Sequence, residues 1–456
     1  MSSSHHSAVS RRAFLSHAGK FAALGAAAPW ALNLATIGAA SAATLPDDYR
    51  ALVCVFLYGG NDSYNTIVPY DTAAHARYSA ARGSLSIARS DLAAHELVPT
   101  QPWSNGQAFA LNPRMRALDA VYARGELSMA MRVGTMLRPV TREDYLNGRN
   151  LPPKLMSHND QFSLWQTLLA EGAQSGWGGR IGDLLVNAAG QQSSLFTSMS
   201  IDQGAAYSSG NTVSEFMLAA EGPLRLSGVP DVPGSESVML NAMTRASDHL
   251  MRRELTTRFN TAQTGAAQLD SALAGIGDQG LPSTDLGLQL NMVARLIAAR
   301  DRLSMKRQTF FVGLGGFDVH NGQGVVHGPL LQHVADAMAA FQNSINAAGL
   351  GQQVITFTAS DFGRSLTANG DGTDHGWGAH HFVMGGPVKP KHWVGEVPRI
   401  ELGAADDIGQ GRMLPAIAVD QLGATMATWM GVPDSDLNTI FPHLSEFSVR
   451  NLDLLG

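Results

Sequence analysis

The stretch Phe310–His320, FFVGLGGFDVH, sets an acid and an imidazole just beyond an apolar run. Asp318 and His320 are two residues apart, and residues two apart on an extended chain point the same way. Both can therefore reach one point beyond the end of a strand, which is where open α/β sheets keep their ligands. The arrangement recurs. Ala51–Tyr58 runs into Gly59-Gly60-Asn61-Asp62-Ser63, and Gln353–Ala359 runs into Ser360-Asp361-Phe362-Gly363-Arg364. The stretch Thr367–His381, TANGDGTDHGWGAHH, then packs Asp371, Asp374, His375, His380 and His381 among glycines. Carboxylates and imidazoles gathered in this way suit a divalent cation: zinc, calcium or magnesium. Each signal also has a plainer reading. Asp318 can cap a turn beside a solvated His320, and Asp62 can make an Asx-turn or cap a helix.

A hydroxyl stands in a second suggestive place. Met156-Ser157-His158-Asn159-Asp160 precedes the amphipathic run Phe162–Leu169. A helix N-terminus favours an anion, so Ser157 there could serve as a nucleophile with His158 or Asp160 nearby. The plainer reading is that Ser157 is a helix N-cap. Ser175–Arg180, SGWGGR, opens the next helix, and Arg180 could contact an anionic substrate or simply face solvent.

The elements that position these residues read as α/β. Ala51–Tyr58 is apolar throughout, like a strand buried on both faces of a parallel sheet. The pattern predicts further strands at Leu127–Gly134, at Phe310 onward, at Gln353–Ala359 and at the FVMGG run. It predicts helices from Asn112, over Glu236–Ala274, Asp285–Leu303, His327–Ala348 and Asp420–Met430. Residues 190–234 read as loops and short strands.

The chain has 456 residues, 45% hydrophobic and 15% charged, enough for one large core. Ser10-Arg11-Arg12-Ala13-Phe14-Leu15 is a twin-arginine motif, followed by an Ala-rich run and Ala40-Ser41-Ala42 as a cleavage site. Residues 1–42 thus read as an export signal for the twin-arginine translocase rather than a stable membrane span. The expected destination is the periplasm or the exterior, and residues 43–456 are expected to form a single domain. The leader holds Arg11, Arg12 and Lys20 and no acid, so the mature charge is −6 − 3 = −9. So acidic a chain is a poor nucleic-acid binder. The lone Cys54 lies within an apolar run and reads as a core residue.

Taken together, the twin-arginine leader, GGND at 59–62, SHND at 157–160, GWGGR at 176–180, GFDVH at 316–320, SDFGR at 360–364 and TDHGWG at 373–378 resemble an exported bacterial family of uncharacterised function within the alkaline phosphatase/sulfatase superfamily. The resemblance spans about residues 50–445. It implies one α/β domain with a central, mostly parallel sheet flanked by helices on both faces. It also implies a metal-dependent hydrolase of phosphate or sulfate esters, acting on a small-molecule or a glycan or lipid ester. Asp62, Asp318, His320, Asp361 and His375 would be metal ligands, with Asp374 in reserve. Ser157 would attack, Arg180 or Arg364 would hold the anion, and His380 would protonate the leaving group. One departure bears on the metal count. The superfamily's active enzymes typically read Ser-Asp-His-Gly where this chain has Phe362, and Phe cannot ligate. The competing expectation is a non-catalytic periplasmic binding or envelope-assembly protein that keeps the fold.

Overall fold

The computed structural model describes residues 48–102, 106–188, 191, 194–224 and 249–456. The leader and parts of the segments expected over 190–234 and from 236 lie outside the described residues. Arg50–Leu57 forms a central strand of a 10-stranded sheet. It pairs in parallel with Arg307–Leu314 on one side and Val354–Ser360 on the other. Ser198–Ile201 and Phe216–Ala219 extend the parallel run past Arg307–Leu314. On the other flank Ala379–Met384 runs antiparallel, between Val354–Ser360 and Leu127–Gly134. The result is the expected mixed, mostly parallel α/β sheet.

The central strand explains why both faces are covered. Ala51, Val53, Val55 and Leu57 enter one core cluster, and Leu52, Cys54 and Phe56 enter another. A strand apolar on both faces needs helices on both. Asp285–Ala298 and Gln323–Ala347 cover the first face. His158–Thr167, Trp177–Ala188 and Val419–Met430 cover the second. Trp165 fixes the first of these by packing on Phe56 and Phe357, at 6.2 and 6.3 Å between ring centroids. Cys54 is buried, and burial pushes its thiol well above the usual range, so it acts as a small apolar side chain.

Pairing also sets where chemistry is possible. Leu57 is opposite both Leu314 and Ser360, so three parallel strands end flush. The loops that leave them carry Asp62, Asp318 and Asp361. Gly59 and Gly60 have φ of +112° and +82°, and both sit against neighbouring loops. A Cβ on Gly59 would lie 2.3 Å from the Asp318 nitrogen, and one on Gly60 would lie 2.4 Å from the Phe362 ring. Only glycine permits that approach.

The stretch 367–381 is not the single loop expected from its glycines. Arg364–Ala368 and Thr373–His375 form a hairpin, and Ala379–Met384 is a strand of the main sheet. His380 and His381 therefore point to opposite faces, and both are buried. His380 Nδ1 accepts from the Arg132 N–H at 3.2 Å. The His381 ring lies 5.6 Å from Trp165.

Burial makes these rings neutral. It holds His380 and His381 down to about 3 and His327 down to about 4. In the unfolded chain each would titrate near 6.5. Below that pH the unfolded state takes up protons that the fold refuses. Stability is then fully present above about pH 6.5 and falls as pH drops toward 4, by up to about 1.4 kcal/mol per pH unit for each ring. Urea unfolding in chelator should show a loss of about 4 kcal/mol between about pH 7 and about pH 5.5. A flat profile over that interval would mean the three histidines are not held neutral.

Candidate metal centre

Three loops and a helix start converge beyond the flush strand ends. His158, Asp318 and His375 each offer one ligand atom, and these atoms lie within 4.8 Å of one another. Asp318 Oδ1 is 3.1 Å from His375 Nε2, and Asp318 Oδ2 is 3.4 Å from His158 Nε2. Each comes from a different element. His158 is the first residue of the helix His158–Thr167. Asp318 follows the strand Arg307–Leu314, and His375 ends the hairpin strand Thr373–His375.

The hydrogen bonds decide what each imidazole presents. His375 Nδ1 is 2.9 Å from the Met156 carbonyl oxygen, which can only accept. The Nδ1–H donates there, and Nε2 keeps its lone pair toward Asp318. Burial lowers the His375 pKa, which favours this neutral form. His158 repeats the arrangement, with Nδ1 2.6 Å from Asp361 Oδ2. That bond raises the His158 pKa against the opposing effect of burial, making the ring a more basic ligand. Its Nε2 is buried and has no hydrogen-bond partner.

Burial alone would raise the Asp318 pKa. The interactions with His375, Arg364, His158 and His320 outweigh that and hold the carboxyl below its usual range. Two Nε2 lone pairs and a carboxylate thus face one point, with an orphaned buried nitrogen among them. That set fits a divalent ion of borderline softness such as zinc.

The other expected site residues divide sharply. Asp361 orients His158 through Oδ2, which also accepts from the Gly59 N–H at 3.2 Å, while its Oδ1 is buried without a partner. His320 stands at the open edge, with Nε2 3.1 Å from Asp318 Oδ1 and 2.9 Å from His375 Nε2. Asp374 lies behind it, 3.6 Å from His320 Nδ1. Ser157 precedes His158, and its hydroxyl donates to Asp160 Oδ2 at 2.7 Å rather than capping the helix backbone.

Four expected roles must be corrected. Asp62 is fully buried and engaged by the Arg82 guanidinium at 2.7 and 2.6 Å, by the Tyr64 N–H and by the Gln323 amide. Burial would raise its pKa, but Arg82 leads the interactions that lower it. No lone pair of Asp62 is directed at the cluster. Arg180 is buried and donates to the carbonyls of Thr167, Ser175 and Ile440, which makes it a brace between elements. His380 is enclosed in the sheet and cannot hand a proton to a leaving group. Arg364 reaches the site, but as a fully buried clamp on Asp318, with Nη1 and Nη2 at 3.2 and 3.3 Å.

Sequence reasoning did not place His158 in this cluster. The signal was present in SHND, but only the fold brings that helix start against the strand ends. It also missed Arg82, which lies 20 residues from Asp62 in the helix Thr72–Arg82.

The chain belongs to the family described as "Protein of unknown function (DUF1501)", which matches residues 49–442. No curated protein matches the sequence. Several solved structures are similar. One is a protein in the alkaline phosphatase superfamily from Vibrio parahaemolyticus, at 10% identity and a TM-score of 0.35, covering 86% of this chain and 68% of that one. Another is the PsFucS1 sulfatase from Pseudoalteromonas sp., at 8% and 0.35, covering 90% and 72%. A third is the C-terminal periplasmic domain of EcEptC from Escherichia coli in complex with Zn, at 11% and 0.33, covering 85% and 83%.

Two strand-end aspartates with different partners should respond differently to the same change. Asp361→Asn replaces the charged acceptor that orients His158 with a neutral amide, and weakening such a partner should cost about 10–100-fold in metal affinity. Asp62→Asn should leave zinc affinity near wild type. It should instead cost about 3–5 kcal/mol of stability, because the Arg82 charge is left buried and unpaired. Chelator competition and urea unfolding on both variants separate the roles. Equal loss of zinc affinity in the two would restore Asp62 to the ligand set.

Proposed function

We propose, for this member of a family of unknown function, that His158, Asp318 and His375 hold a divalent cation and that the protein hydrolyses phosphate or sulfate esters. The observation that carries the reading is the pair of imidazoles whose Nδ1 atoms are tied to Met156 and Asp361 while both Nε2 atoms face Asp318. A divalent ion held by these three residues would supply positive charge to the ester oxygens and lower the pKa of an attacking oxygen.

The chain's own groups do the rest. Ser157 is the proposed nucleophile. Its neighbours Met156 and His158 both touch the cluster, and its hydroxyl already donates to a carboxylate. The Ser157 bond, together with Lys154 at 3.2 Å, lowers the Asp160 pKa, so Asp160 is ionised and can accept the proton. Asp361 and the Met156 carbonyl hold the two imidazoles in register. Arg364 keeps Asp318 ionised and aimed outward. The side chains of Asp318 and His320 are 46% and 43% exposed, so a substrate reaches the centre from an open side. That openness suits a bulky ester on a glycan or lipid as well as a small one.

The proposed setting is the periplasm. Among the described residues no helix is long and apolar enough to cross a membrane. Residues 1–42, with Arg11 and Arg12, are proposed as the export signal. Changing Arg11 and Arg12 together to Lys should hold the precursor in the cytoplasm, and unchanged export of that variant would exclude the twin-arginine route.

Two substitutions separate binding from attack. Asp318→Asn should abolish metal binding and turnover together, because an amide is a weaker ligand for a divalent ion. Ser157→Ala should keep the metal and lower ester turnover by at least about a hundredfold, since the proposed nucleophile is gone. Chromogenic phosphate and sulfate esters, with metal analysis of the same samples, give both readouts. Full turnover in Ser157→Ala would remove Ser157 as the nucleophile. A wild type with no metal and no ester cleavage would favour the binding-protein reading.

A further inference from the structure

We infer that this centre takes a single metal ion and that the buried guanidinium of Arg364 fills the place a second cation would need. The inference rests on the metal-centre reading above and concerns only the count. A second ion working with the first would lie about 3.5–4 Å from it, and a carboxylate shared by the two would anchor it there. Asp318 is the carboxylate in position to be shared. Its Oδ2 faces His158, and its Oδ1 already meets His375, His320 and both Arg364 Nη atoms.

Arg364 is caged as an ion would be. Its side chain is 0% exposed. Nη1 donates to Gly59 O at 2.8 Å, to Gly60 O at 3.4 Å and to Phe317 O at 3.3 Å. Nη2 donates to Thr373 O at 2.7 Å, and Nε to Thr373 O and Oγ1 at 3.2 and 3.0 Å. Oxygens that would hydrate or ligate a second ion beside Asp318 are taken up by a side chain that cannot leave.

The remaining strand-end carboxylates offer no second site. Asp62 is neutralised by Arg82, and Asp361 Oδ2 is bonded to His158. Asp361 Oδ1 is left over, and one oxygen does not make a site. Phe362 follows it and packs at a tilt against both imidazoles, 4.8 Å from His158 and 4.5 Å from His375, with 2% exposure. An apolar ring occupies that flank instead of a donor. Charge points the same way. Asp318, Asp361 and Arg364 sum to −1 − 1 + 1 = −1, so one divalent ion brings the group to +1 and a second would bring it to +3. So much like charge in a half-buried site is costly.

The count is directly measurable. The purified protein, stripped with chelator and titrated calorimetrically with Zn²⁺ or Mn²⁺, should bind one ion per chain, and Asp318→Asn should lose it. Bound Mn²⁺ should give the paramagnetic resonance spectrum of an isolated ion. In Phe362→His, which adds an imidazole beside Asp361, the count should remain one because Arg364 is still in place. Two ions in the wild type, or a coupled Mn²⁺ pair, would overturn the single-ion inference while leaving the metal-centre reading intact. Two ions in Phe362→His alone would show that Arg364 does not fill the second place. No bound ion would overturn both.

Discussion

The site depends on one buried cation. The Arg364 guanidinium reaches Gly59 and Gly60 after the first strand, Phe317 and Asp318 after the second, and Thr373 on the hairpin that delivers His375. Burying an unpaired guanidinium would cost several kcal/mol, so the loops are constrained to supply acceptors. Those same acceptors fix Asp318 in space. The charge that makes the loops expensive to separate also helps, beside His375, to keep a half-exposed carboxylate ionised. Stability and preorganisation here come from a single group.

A second network lies behind it. Asp62, Arg82 and Gln323 form a buried cluster, and Gln323 Oε1 accepts from the Thr373 hydroxyl at 2.7 Å. Thr373 in turn binds Arg364, and Arg364 binds Asp318. A continuous chain of hydrogen bonds therefore runs from the fully buried aspartate to the exposed one. Within it the Asp62 carboxylate is fully engaged, while Arg82 Nε is buried without a partner. Asp62 accepts from Arg82, Tyr64 and Gln323, which is why it is structural despite its strand-end position.

The fold was largely legible because it rests on local patterns. Ala51–Tyr58 and Leu127–Gly134 are long apolar runs bounded by turn residues, and both are buried strands. Asp318 was legible for the same reason, as an acid just past a strand. What failed depended on partners distant in sequence. Nothing local to Asp62 reveals Arg82, and nothing local to Arg180 reveals the Ile440 carbonyl. His380 and His381 were misplaced because the glycines before them read as a loop, whereas the strand begins at Ala379. His158 was not placed in the cluster because a helix start is read first for caps.

Unpaired polar atoms sharpen the distinction between a brace and a site. Several buried atoms lack partners, including His380 Nε2, His381 Nε2 and Asp406 Oδ1, so an orphan alone says little. His158 Nε2 and Asp361 Oδ1 differ in being the two outer atoms of one hydrogen-bonded pair. His158 Nε2 also lies beside the half-exposed Asp318 carboxylate, which faces a second imidazole. A buried polar group left unmet costs about 1–3 kcal/mol. On the proposed reading, a cation is the partner that His158 Nε2 lacks. It is the direction of these lone pairs, more than the number of acids and histidines, that separates this corner of the sheet from the other polar clusters the fold buries.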